Sequence, residues 1–330
     1  MRVRLSGVAA VAGLVLVTGL TGCGTTTHHG AATEKHRTVT DASGARVSVP
    51  VRPRRVVTLS EPTLDGALAL GVTPVGTTAG RGQSGPPAYL ARRAAGIPVV
   101  ATVAQPDLEK ITTLHPDLIL TDGTVNGSAI PQLTKIAPVV VTAKHGADWR
   151  QAFRDEAAAL NRTGRASAVL RDLDRRIAST RAKLGGNAAA TVSVVRWAGN
   201  APAMIFSDGP VGYVLHGLGV RRPAAERGAG PGHSEPVSTE KLDTIDGDWM
   251  FFGALAGKQG GGDASSTVSV EYSREALKQA ATLPGFTALR AWRKHRVVPV
   301  DGSSWTSAGG VLAARAILSD VDTNLTGGGS

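Results

Sequence analysis

Asp107-Leu-Glu-Lys-Ile-Thr-Thr-Leu-His-Pro-Asp-Leu-Ile-Leu120 aligns without a gap on Ser238-Thr-Glu-Lys-Leu-Asp-Thr-Ile-Asp-Gly-Asp-Trp-Met-Phe251. Each copy begins with a residue suited to cap a helix, Asp107 or Ser238, and carries apolar residues at helical spacing. Each then turns at Pro116 or Gly247 and enters an apolar strand. Upstream of each copy the order of parts repeats as well. Strand Arg55-Val-Val-Thr-Leu-Ser60 leads to a helix ending Leu70-Gly71-Val72, and strand Val192-Ser-Val-Val-Arg-Trp197 leads to one ending Leu218-Gly219-Val220. Strands alternating with helices in both halves predict an α/β fold of two lobes, each with a mostly parallel sheet covered by helices.

Between the halves, Ala147 to Leu184 has few breakers apart from Gly164. From Arg165 onward, Ala168, Leu170, Leu173, Ile177, Thr180 and Leu184 fall near helical spacing among arginines and aspartates, which describes one long amphipathic helix ended by Gly185-Gly186-Asn187. A single helix joining two Rossmann-like lobes makes a stiff hinge and leaves a cleft, with the C-terminal ends of the strands facing it. The expected division is an N-terminal lobe over 38–146, a helical region with the interlobe helix over 147–186, and a C-terminal lobe over 187–330.

Residues 1–23 read as an export signal. Arg2 and Arg4 precede an apolar run from Val8 to Val17, too short to span a bilayer, and Leu20-Thr21-Gly22-Cys23 follows. This ending resembles the bacterial lipobox, in which the chain is cut before an acylated cysteine, so Cys23 is the expected lipidation site and membrane anchor. Residues 24–37, rich in Thr, Gly and Ala, read as a flexible tether. His28 and His29 in it lack the preorganisation of a metal site.

With 330 residues, 42% of them hydrophobic and 19% charged, the chain can bury one or two α/β cores. One cysteine excludes a disulfide framework. The charge of +10 falls to +8 without Arg2 and Arg4, and its basic residues are scattered without the aromatic interleaving of a nucleic-acid surface. His36, His115, His145, His216, His233 and His295 show no paired metal-ligand spacing. Gly80-Arg-Gly82-Gln-Ser-Gly85 fits a dinucleotide pattern but runs into Pro86-Pro87. Gly253-Ala-Leu-Ala-Gly257-Lys258-Gln259 is one residue short of a phosphate-binding loop, and Gly232-His-Ser234-Glu-Pro236 lacks the final glycine of a nucleophile elbow. No enzymatic reading is supported, no resident cofactor or metal is expected, and a monomer is expected.

Several segments together resemble the class III periplasmic binding proteins, which carry ferric siderophores, haem or cobalamin to ABC importers. They are Arg54-Arg-Val-Val-Thr-Leu-Ser60 with Leu68-Ala-Leu-Gly71-Val72, Pro106-Asp-Leu-Glu109 with His115-Pro-Asp-Leu-Ile119, Lys135-Ile-Ala-Pro138, Leu218-Gly-Val220 and Val237-Ser-Thr-Glu240. The resemblance covers about Thr38 to Asp322 and implies little hinge motion. It implies a lipid-anchored protein on the outer side of the cytoplasmic membrane that delivers a ferric siderophore, hydroxamate type favoured, to a permease dimer. Cobalamin or haem is the alternative, with a metal-ion binder or exported enzyme behind it. Ser60, Arg196, Trp197, Tyr213 and Trp305 are the expected ligand contacts, with Trp149, Trp249 and Trp292 structural. Glu109 and Glu240, equivalent in the two halves, are expected to meet permease arginines.

Overall fold

A computed structural model describes residues 35–103, 105–123, 127–144, 146–199, 201–228, 233–255 and 266–327. The export signal, Cys23, His28, His29, His145, Gly232 and most of the expected tether lie outside the described residues, as do 256–259 of the near phosphate-loop segment. Among the described residues no helix is long and apolar enough to cross a membrane.

A hairpin of β1 (His36–Thr40) and β2 (Arg46–Pro50) comes first, so regular pairing begins two residues inside the stretch read as tether, with His36 opposite Pro50. There follow β3 (Val56–Thr58), α1 (Glu61–Ala69), β4 (Thr77–Thr78), β5 (Val99–Thr102), β6 (Gln105–Pro106), α2 (Leu108–Thr113), β7 (Leu118–Thr121), α3 (Ile130–Leu133) and β8 (Val139–Val141). Strands β3, β7 and β8 run parallel in that spatial order. A parallel bridge from Val57 to Gly76 brings β4 and its parallel neighbour β5 alongside them, with β6 antiparallel at the end.

The C-terminal lobe contains β9 (Val192–Ala198), β10 (Ala201–Ile205), α6 (Gly209–Leu218), β11 (Ser234–Pro236), β12 (Trp249–Ala254), α7 (Ser266–Ala280), α8 (Arg290–Arg293), β13 (Val297–Asp301), α9 (Gly302–Trp305) and α10 (Val311–Val321) once α4 (Trp149–Ala159) and α5 (Thr163–Ala182) have crossed between the lobes. Its sheet order is β11-β10-β9-β12-β13, with β9, β12 and β13 parallel and β10 and β11 antiparallel. The upstream half of the repeat is therefore less regular than expected, because β10 intervenes between β9 and α6.

The quoted repeat is real in three dimensions. Asp107 and Ser238 are the N-caps, accepting from the N–H of Lys110 at 3.1 Å and of Glu240 at 3.3 Å. The helix after Ser238 is a 3-10 run, Thr239–Ile245, with Lys241 off helical geometry. Ten residues past each cap stands an aspartate with the same task. Asp117 accepts from the N–H of Arg54 and Arg55, and Asp248 from that of Thr191, pinning each repeat strand to the segment that enters the first parallel strand of its lobe.

The expected interlobe helix is α5, but the helical region is two helices, broken at Asn161, whose φ of 56° is left-handed. Ala166, Leu170, Leu173, Ile177 and Thr180 form the buried stripe, while Ala168 is exposed. Counting back four residues from Leu170 gives Ala166, the position a 3.6-residue period requires. The apolar residues of this stripe enter one cluster shared by both lobes, with Leu64 of α1 and Leu70 that caps its end, Phe153 of α4, Leu215 of α6 and Ile317 of α10.

A second link joins the lobes. Asp65 of α1, fully buried, accepts from the N–H groups of Gly310 (3.2 Å), Leu312 (2.8 Å) and Ala313 (2.9 Å) at the start of α10, and from the Tyr89 hydroxyl (2.8 Å). The Asp65→Ala variant would leave these donors buried without an acceptor, and urea denaturation should register a loss on the order of 3 kcal/mol. A loss below about 1 kcal/mol would show that water or another group takes over the cap.

Candidate functional site

A cavity of about 370 Å³ lies between the lobes. Its N-terminal wall is Pro62 and Gly66 of α1, Arg81, Asp122, residues 142–144, and Trp149, Phe153 and Glu156 of α4. Its C-terminal wall is Ile205, residues 208–211, His233 and residues 304–305 and 307–310. Asp122 follows β7, Thr142 follows β8 and Ser304 follows β13, so the C-terminal ends of parallel strands face the cleft, as the doubly wound topology requires.

The acid side of the cavity is built on α1. Ser60 caps this helix in a reciprocal pair with Thr63, its Oγ accepting from Thr63 N–H at 3.4 Å and Thr63 Oγ1 accepting from Ser60 N–H at 3.2 Å. Ser60 is buried and does not line the cavity; a serine at a strand-to-helix turn is satisfied by the helix it starts. Glu61 follows, accepting from Arg81 N–H at 2.6 Å and from the Ser307 hydroxyl at 2.5 Å. Burial raises the pKa of Glu61 and of Asp65 against the lowering effect of these bonds. Glu156 packs directly on α1, where a Cβ at Gly66 would stand 1.8 Å from its Oε2, so any side chain at 66 would drive this carboxyl away. Its Oε1 is buried without a partner. Burial, then the charges of Asp65 and Asp122, push its pKa well above the usual carboxylate range.

The cationic side draws on both lobes, with Arg81 and His233 lining the cavity and the expected contact Arg196 standing behind His233 without lining it. Arg196 on β9 donates from Nη1 to Thr306 O (3.2 Å), pairs with His233 Nε2 (2.9 Å) and bonds Ser234 Oγ through Nη2. Arg81 reaches the same place from the loop after β4, a turn closed by Gly80 N–H to Gly85 O at 2.8 Å. The Nε of each arginine is buried and unpaired. Burial, then Arg196 and Arg81, lower the His233 pKa and favour its neutral form. A neutral imidazole can accept from Arg196 at Nε2.

Of the other expected contacts, Trp305 lines the cavity, stacked on Phe251 at 4.2 Å between centroids and donating its indole N–H to Asp320 at 2.7 Å. Burial is the main reason that Asp320 titrates at about 6. Trp197 does not reach the cavity. Successive strand residues point to opposite faces, so with Arg196 turned toward the cleft Trp197 packs behind the sheet on Phe252, 5% exposed. Tyr213 lies behind the cavity wall, its hydroxyl donating to Asp174 at 2.5 Å, Arg150 over its ring at 4.5 Å and Trp149 edge-on at 5.6 Å.

Trp149, expected to be structural, instead lines the cavity. Trp249 donates to Asn187 Oδ1 at 3.1 Å, and Trp292 packs edge-on against Phe286. Arg81, Trp149, Glu156 and His233 were not read from sequence as contacts. Arg81 and His233 stand in the glycine-rich loops weighed above only as enzyme motifs, and a loop after a parallel strand is the signal that could have found Arg81. Ser234–Pro236, the expected near-elbow, is an edge strand paired to β10. Among the described residues no group of three or more His, Cys, Asp or Glu could hold a metal ion.

A group whose folded pKa is raised gives its full stability below the unfolded carboxylate range and loses it as pH climbs through the folded value. Glu156→Gln keeps the shape without that titration. The variant should match the parent in thermal unfolding at acid pH and exceed it increasingly from neutral to alkaline pH. Parallel profiles would show that Glu156 is not held neutral.

Comparison with known proteins agrees with this architecture. The pattern described as "Periplasmic binding protein" matches residues 56–302. The "Achromobactin-binding periplasmic protein" of Dickeya dadantii is 31% identical over 283 residues, 84% of this chain and 88% of that one. The "Probable siderophore-binding lipoprotein YfiY" of Bacillus subtilis is 28% identical over 302 residues, 88% of this chain and 87% of that one. Staphylococcus aureus SirA, solved with staphyloferrin B, shares the fold at a TM-score of 0.71 and 22% identity, over 88% of this chain and 98% of that one. The repeat, the two lobes clasped by Asp65 and the cleft between them are thus those of a binding protein, and the chain belongs to the periplasmic binding protein family.

Proposed function

We propose that this chain is the lipid-anchored, extracytoplasmic substrate-binding protein of an ABC importer and that it captures a ferric siderophore in the interlobe cleft. The observation that carries the reading is Arg81 in the cavity wall with a buried, unpaired Nε, backed from the opposite lobe by Arg196, which stands behind the lining His233 with its own Nε buried and unpaired. Two half-buried guanidinium groups with unpaired donors call for an anion, and charge-assisted bonds to carboxylate or catecholate oxygens supply it. This favours a negatively charged ferric chelate over the nearly neutral hydroxamate expected from sequence. The relatives named for siderophore and achromobactin binding support the same class. Trp149 and Trp305 offer the apolar walls against which the organic body of a chelate packs.

Tryptophan-fluorescence titration tests this. Ferric citrate-type or catecholate chelates should quench emission through Trp305 and Trp149, and Arg81→Gln should weaken binding about 10- to 100-fold. Binding of ferrioxamine with no response to Arg81→Gln would restore the hydroxamate reading, and binding of haemin or cobalamin alone would replace the siderophore.

Delivery needs a dock. Glu109 and Glu240 are both exposed, each two residues after an N-cap in equivalent copies of the repeat. They are free to meet arginines on the two permease subunits, one lobe to each, while Cys23 carries the lipid that holds the monomer at the membrane. Glu109→Arg with Glu240→Arg should leave unfolding and ligand affinity within about 0.5 kcal/mol of the parent and abolish uptake of radioactive iron. Normal uptake would sink the docking assignment.

A further inference from the structure

A second cavity, of about 380 Å³, opens on the C-terminal lobe and shares no residue with the first. Gly212 and His216 of α6 line it with Ser207 just before that helix, and with Arg221, Arg222 and Arg227 on the segment that follows. Three arginines thus gather around one hollow, and among the described residues no acid lines it. The acid closest to them in the chain, Glu226, is fully buried and already engaged. It accepts from Arg222 Nε (3.0 Å), from the Ser193 hydroxyl (2.6 Å) and from Val194 N–H (3.1 Å).

Arg222 is the informative residue. Its side chain is only 6% exposed, and its Nη2 donates to Ile205 O at 2.7 Å and to Glu226. Its Nη1 is buried and has no partner. A buried guanidinium N–H without an acceptor is costly, and a native structure keeps one where something else completes it. Arg227 is held beside it by its Nε, which donates to the Arg222 carbonyl at 3.1 Å, leaving its terminal nitrogens at the exposed rim. Arg221 is also exposed. Its acidic neighbour Asp248 is already bound by Thr191 N–H at 2.9 Å and by Arg290 at 3.3 Å.

We propose that this cavity binds a phosphate group, with Arg222 Nη1 as the buried donor and Arg221 and Arg227 closing over the remaining oxygens. Planar guanidinium forks arriving from separate positions match the several oxygens of a tetrahedral anion better than the two of a carboxylate. The hollow is much larger than a phosphate, whose oxygens need only a few water volumes, so there is room for a substituent. Free phosphate and the phosphoglycerol headgroup of an anionic lipid both present this chemistry.

Calorimetric titration of the full chain with inorganic phosphate tests the site. Arg221→Gln with Arg227→Gln removes two exposed side chains, so the thermal unfolding midpoint should not move while phosphate affinity falls at least tenfold. Arg92→Gln with Arg93→Gln removes the same charge from exposed positions elsewhere and should leave the isotherm unchanged. Dihexanoyl-phosphatidylglycerol below its micelle concentration, with dihexanoyl-phosphatidylcholine as control, separates the sources. Competition by the glycerol lipid alone assigns the headgroup, and phosphate binding without competition assigns the free anion. Absence of any phosphate isotherm, an isotherm unaltered in the Arg221/Arg227 variant, or an equal loss in the Arg92/Arg93 control would overturn the proposal.

Discussion

The carboxylate of Asp65 at the N-terminus of α10 is the contact on which the geometry of the cleft depends. It belongs to the first helix of one lobe and caps the last long helix of the other, taking three backbone N–H groups that α10 cannot satisfy itself. The approach is close enough that a Cβ at Gly310 would stand 2.7 Å from Oδ1, so the residue before α10 is confined to glycine. Glu61, one turn earlier on α1, holds Ser307 on the same loop. The cavity wall at 307–310 is therefore held by the opposite lobe, and α5 is not the sole connection. Two helical connections and a common apolar cluster resist opening more than a single hinge helix would.

Charge is separated across the cleft by the same construction. Glu61 and Asp65 use their oxygens on backbone and hydroxyl donors, and burial pushes them and Glu156 toward the neutral form. Burial thus weakens the charge these acids set against Arg81 and Arg196, and it lowers the His233 pKa. Arg81 lines the void with an unpaired Nε, and Trp149, Phe153 and Trp305 supply apolar surface in the same cavity. An anionic ligand with an organic framework meets both needs without rearranging either wall.

Much of this was legible in local sequence. Caps at Asp107 and Ser238, the stripe of α5 and the parallel strands each follow from residue types at short spacing. Trp197 could also have been placed correctly, since a strand that turns Arg196 to the cleft must turn Trp197 away. Ser60 illustrates the converse: a hydroxyl at a turn finds its partner three residues on, at Thr63, before any ligand arrives. Trp149 was hidden because helix periodicity gives the buried face but not whether that face meets a core or a void. Glu156 was hidden because its raised pKa comes first from burial in the folded protein and then from residues 65 and 122, far away in sequence.

The sequence by itself determined the two-lobed α/β order, the helix between the lobes and the two outward glutamates, because each rests on contacts within a few residues along the chain. Only the tertiary structure decided which side chains share the cleft. Arg81 and Arg196 are 115 positions apart, and Asp65 meets α10 across more than 240. Such pairings are set by how β-strand ends and helix termini from different lobes come to rest against one another, and no local period in the sequence encodes that.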